Sequence, residues 1–153
     1  LPEPPRDPES QLPLRALDHA RLESLHDEPL RSRAHEGLWV RTWVSPGQAA
    51  TWKEGGKLPA GAYAVLTTQL DRWGRPGPEA GPLLFLEGTS GRPTFSLYWG
   101  HIPEARRADF AGEERVYWRG QDPHLAECLR CHAEGYSQPA ERTSLRRRRP
   151  AGE

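Results

Sequence analysis

Cys128-Leu129-Arg130-Cys131-His132 constrains this chain more than any other stretch. It uses both cysteines of the 153 residues, two positions apart, with a histidine directly after the second. That pattern reads as a c-type haem attachment site. Residues i and i+3 of a helix face the same way. Two thiols so placed can each form a thioether to one edge of a porphyrin, and the next imidazole can ligate the iron from below. The rest of the chain must then supply a pocket for a large, flat, apolar ring. Other uses of the pair fit less well. A redox dithiol sits on a helix early in a βαβ unit, and no such unit precedes this motif. A structural zinc site needs four ligands; His124 is a stray third, and no second pair exists. A disulfide across two residues closes too small a loop to stabilise much.

Composition limits what surrounds the motif. The length suits one domain. Hydrophobic residues make up 35% of the chain and mean hydropathy is −0.82, so the protein's own core is thin. A covalent haem would enlarge it, since burial of apolar area stabilises at roughly 25 cal/mol per Å². The 16 prolines and 15 glycines call for many turns. Net charge is zero, which argues against general nucleic-acid or membrane-surface binding. No apolar run is long enough to span a membrane. Methionine is absent, which excludes the His/Met ligation usual in electron carriers. The chain begins at Leu1 without an initiator. The expectation is an exported, periplasmic form from which a signal peptide has been removed.

Taken in order, the chain reads as an extended arm (1–12), one haem-bearing domain (13–136) and a polar, Arg-rich tail (137–153) in which Arg146–Arg149 form a solvated run. Leu14, Leu17 and Leu25 recur at helical spacing between Pro13 and His26. Leu38–Val44 reads as a strand. Ser45-Pro46 reads as the cap and first position of a short helix that closes at Gly55-Gly56. Strands are expected over 62–70, 83–87, 94–100 and 115–119, with 71–82 as a loop and 103–110 as a helical stretch. Asp122-Pro123 repeats the cap-then-proline signature and opens the haem helix. The fold class is therefore α+β: an antiparallel sheet with flanking helices and a C-terminal haem-bearing helix. Ordinary small cytochromes c are helical and carry the motif early.

Two blocks carry a resemblance. One runs from Trp43-Val44-Ser45-Pro46 through Thr51-Trp52-Lys53-Glu54-Gly55-Gly56-Lys57-Leu58-Pro59-Ala60-Gly61-Ala62-Tyr63-Ala64-Val65-Leu66; the other is Tyr117-Trp118 with Ala126-Glu127-Cys128-Leu129-Arg130-Cys131-His132-Ala133. Over roughly residues 36–136 the chain resembles the cytochrome P-460 family, including the cytochromes c′-beta. The resemblance implies an antiparallel sheet with flanking helices, usually dimeric. It also implies one covalent haem c on Cys128 and Cys131, with His132 as the iron's axial ligand and an open distal face. One branch of that family has a lysine cross-linked to the haem and oxidises hydroxylamine; the other has an apolar distal face and binds nitric oxide. The cross-linking position falls on Leu66. Lys53 and Lys57 lie on the wrong side of the turn, and residues 94–102 contain no carboxylate to act as general base.

The leading expectation is a five-coordinate haem under an apolar ceiling that binds a small gaseous or nitrogen-oxide ligand such as nitric oxide. Leu66 is the first candidate for that ceiling. Phe85, Phe95 and Trp99 are further candidates, each with ordinary sheet core as the alternative. A second reading is a six-coordinate electron-transfer cytochrome, serving a redox partner protein, with His101 as second axial ligand. A third is oxidoreductase activity towards hydroxylamine or peroxide. No catalytic residue stands out.

Overall fold

Residues 38–44 read Leu-Trp-Val-Arg-Thr-Trp-Val, and every second side chain is buried. That alternation is what a half-covered pleated strand requires. The computed structural model describes residues 5–33, 35–126 and 128. In it, helix α1 (Leu14–Leu17) precedes strands β1 (Glu23–Ser24), β2 (Leu30–Ser32) and β3 (Leu38–Val44). Helix α2 (Ala49–Lys53) leads to β4 (Tyr63–Arg72), β5 (Arg75–Ala80), β6 (Leu83–Glu87) and β7 (Thr94–Trp99). A 3₁₀ run (Glu104–Phe110), strand β8 (Val116–Arg119) and a 3₁₀ turn (Pro123–Leu125) follow. The strands form one antiparallel sheet in the order β1-β3-β4-β6-β7-β8, with β2 also on β3 and β5 also on β4.

The protein is thus α+β, with a mostly antiparallel sheet and few helices. The expected haem helix lies largely outside the described residues, as do Cys131, His132 and the tail. Asp122 does cap the turn that precedes it: its carboxylate accepts the His124 backbone N–H at 3.0 Å, and Pro123 takes the first helical position. No described helix is long and apolar enough to cross a membrane.

Both faces of the sheet are covered. On one, Val44, Ala64, Leu86 and Phe95 pack with Trp52 of α2, Leu58 and Leu125. On the other, Tyr63, Val65 and Phe85 pack with Leu12, Ala16 and Leu22. Central β4 is accordingly buried on both sides from Tyr63 to Leu66.

Four expectations are corrected. The helix over 13–26 stops at Leu17. Leu22 instead packs under β4, and Glu23–Ser24 pairs with the edge of β3. The arm is folded over residues 5–12: Asp7 N–H donates to the Leu12 carbonyl at 2.8 Å, and Leu12 is wholly buried. The 71–82 loop contains β5, whose prolines are tolerated because it is an edge strand bonded to β4 alone. Finally, Ser45 does not cap α2. Its hydroxyl accepts the Tyr63 N–H at 3.0 Å, while its own N–H donates to the Tyr63 carbonyl at 2.9 Å, and the helix starts after Gln48. The expected close at Gly55-Gly56 is present as a left-handed cap. Gly55 has φ 78°, and the N–H groups of Gly55 and Gly56 return to the carbonyls of Trp52 and Thr51.

Candidate functional site

Register decides which side chains share a face. Thr42 pairs with Leu66, Leu66 with Leu84, Leu84 with Leu97, and Leu97 with Trp118. These five residues form one row across β3, β4, β6, β7 and β8. Four strand spacings make it about 19 Å wide. Leu84, Leu97 and Trp118 are only half-buried, as is nearby Leu70. The next row, Val44, Ala64, Leu86 and Phe95, is buried, and Cys128 packs against the cluster that this row forms with Trp52, Leu58, Ala62 and Leu125. The first cysteine of the motif therefore lies on the same face as a half-open apolar strip.

One end of the strip is held by a built contact. At the β8 end Trp118 is clasped between two rings: Phe110 at 5.6 Å and His124 at 4.3 Å, the latter within 4° of parallel. Asp122 fixes His124 through its ring Nδ1 at 2.7 Å. The His124 backbone N–H, and after it the His124 ring, hold the Asp122 carboxyl below its ordinary pKa. His124 is thus engaged by neighbours rather than presented as a metal ligand. Among the described residues no group of three or more His, Cys, Asp or Glu is placed to hold a metal ion. At the β3 end Thr42 is buried beside Leu66.

The sequence-derived residues fall in different places. Leu66 lies in the row, buried among Leu38, Val40, Leu70 and Leu84. Phe95 and Trp99 share its face but are packed core. Phe95 sits in the Trp52 cluster, while the Trp99 indole donates to the Ala80 carbonyl at 3.1 Å and meets Phe110 edge-on at 5.4 Å. Phe85 pairs with Val65 and packs on the opposite face against Tyr63, so it shares no wall with Leu66. His101 is exposed past the far end of β7, lining a cleft of about 680 Å³ with Glu9, Glu79, Leu83 and Tyr98. Cys128 packs against the cluster that holds Trp52, Phe95 and Leu125, which does not include His101. Lys53 and Lys57 are exposed. Cys131 and His132 lie outside the described residues.

Thr42 was not singled out from sequence. The available signal was parity: it lies two residues from Val40 and Val44 on the buried face of β3, the only hydroxyl among aliphatics there. Searches for a match among protein families, curated proteins and solved structures each find none.

Proposed function

We propose that this chain is a mono-haem c-type protein that holds one haem against the Thr42–Trp118 row and binds a small neutral ligand such as nitric oxide. One observation carries the reading: Cys128 of the Cys-x-x-Cys-His motif packs on the face whose apolar strip is left half-open. The residues present fit such a group. The strip is apolar, about as wide as four strand spacings, and bordered by packed aromatic rings. Cys128 and Cys131 would hold the ring and His132 the iron. A bound haem supplies an iron with an open coordination position.

The remaining chemistry belongs to the row. Leu66 excludes water and gives anions no partner. Thr42 offers a single hydroxyl. No carboxylate, amine or imidazole lies in the row, so nothing there can take a proton from a substrate. Ligand binding therefore fits the site better than turnover of hydroxylamine. Thioether attachment points to maturation outside the cytoplasm, in the periplasm, and a redox partner protein would set the iron's oxidation state.

The test is production with a haem-attachment system, followed by absorption spectra of ferric and ferrous protein with and without nitric oxide. One covalent haem per chain, a high-spin ferric spectrum and a nitrosyl band on adding the gas are expected. Absence of covalent haem overturns the proposal. A low-spin ferric spectrum without added ligand would replace the open site by bis-histidine ligation. Turnover of hydroxylamine above that of free haem would replace binding by catalysis.

A further inference from the structure

The β4–β5 hairpin ends in a two-residue turn made by Trp73 and Gly74. Their φ angles are 55° and 79°, the pattern of the mirror-image turn that favours Asn-Gly. A bulky aromatic side chain rarely adopts this left-handed backbone. Trp73 gains no packing in return. It is 88% exposed, and among the described residues its ring contact is with the Arg72 guanidinium, 4.8 Å from the centroid. Arg72 and Arg75 are direct cross-strand partners, and like charges so placed disfavour the pairing. Neither pairs with a carboxylate among the described residues. The neighbouring acid is engaged elsewhere: Asp71 accepts the Trp39 indole N–H at 2.9 Å and the Gly74 N–H at 3.3 Å, and lies 3.8 Å from Arg31. Strained backbone, exposed indole and two guanidinium groups without a carboxylate partner among the described residues thus coincide at one hairpin tip. Folding explains none of them, and such coincidences mark functional positions.

We propose that this tip docks on an anionic bilayer surface, with the indole at headgroup level and Arg72 and Arg75 on lipid phosphates. Trp and Arg are the side chains that settle at that interface. The shape favours lipid over protein. A stable protein contact needs about 800 Å² on each partner, and a turn two residues wide offers far less, whereas lipids close around a wedge. The zero net charge of the whole chain conceals this local positive end.

The experiment is cosedimentation of the full haem-loaded chain with phosphatidylcholine vesicles, with and without phosphatidylglycerol, at low and high salt. Binding to the anionic vesicles alone is expected, lost at high salt. Each arginine removed by Arg72→Gln or Arg75→Gln should lower partitioning about fivefold. Trp73→Asn suits the turn better, so the thermal midpoint should hold or rise while partitioning falls about fivefold or more. The Arg146–Arg149 run is a second basic segment, so the same comparison is repeated with those four residues changed to Ser. Failure to bind anionic vesicles overturns the proposal. So does binding that survives all three hairpin substitutions. A Trp73-dependent dimer in sedimentation, without vesicle binding, would assign the tip to a protein contact instead. Covalent haem is read separately from the same samples, so loss of the haem proposal and loss of this one are distinguishable.

Discussion

Leu66 and Thr42 sit side by side on adjacent strands, and in the proposed site they would form one wall, Leu66 by its shape and Thr42 by its hydroxyl. Thr42→Val keeps the shape and removes the hydroxyl. One hydrogen bond contributes about 0.5–1.5 kcal/mol, so loss of a donor to bound nitric oxide should speed its release by about 2–12-fold, measured by stopped-flow trapping. An unchanged release rate would show that the hydroxyl does not reach the ligand. Leu66→Ala acts differently. Truncating a buried leucine destabilises by about 2–5 kcal/mol, which a urea titration reads directly. The place of Leu66 in a strand was legible from its neighbours in the chain, which read as a strand over 62–70. The face of Phe85 was not. Which face it takes depends on the β4–β6 register, Val65 against Phe85 and Leu66 against Leu84. A shift of one residue exchanges the faces, and nothing local in Leu-Leu-Phe-Leu announces it.

Among the elements, the strands with a clean alternation, β3 above all, are legible to the residue, because burial on one face imposes a period of two. β5 is not, since its pairing depends on an edge position that only the folded sheet creates. The short pieces β1 and β2 are likewise products of the β3 edge rather than of propensity. The turn joining α2 to β4 shows how tightly the sheet end is built. Gly61, at φ 86°, lets the chain reverse between Pro59 and Ala62. Gly88 lies beneath that turn, where a Cβ would stand 2.4 Å from the Pro59 carbonyl oxygen and 2.7 Å from that of Leu58. Both obstacles are backbone, so the turn itself must move. Gly88→Ala should therefore cost about 2 kcal/mol or more, in the range of overpacked core substitutions, and a urea midpoint as stable as wild type would show the turn to be pliant.

At the scale of the molecule, pH and the cofactor test different parts of the same fold. Asp7, Asp71 and Asp122 have carboxyls held below 3.8, by hydrogen bonds from Ser10, Trp39 and His124 respectively. A lowered folded pKa gives stability that is complete above the unfolded value and lost as pH falls through the folded one. The thermal midpoint should thus be flat above about pH 4 and drop below it, with Asp71→Asn making that drop shallower. Burial raises the pKa of Tyr63 and Tyr98, so their contribution is intact below pH 10 and lost above it. The proposed haem concerns the half-open strip. A sheet covered on both faces leaves Leu84, Leu97 and Trp118 partly wet, which is unfavourable for a chain with so few apolar residues. If haem covers about 200 Å² of that strip, it stabilises the fold by about 5 kcal/mol at roughly 25 cal/mol per Å². Cys128→Ala with Cys131→Ala should then lower the urea midpoint well beyond the effect of either thiol's own packing, and should expose a surface that binds an apolar dye. Equal midpoints for the haem-bearing and haem-free chains would mean that the strip is not where the ring lies.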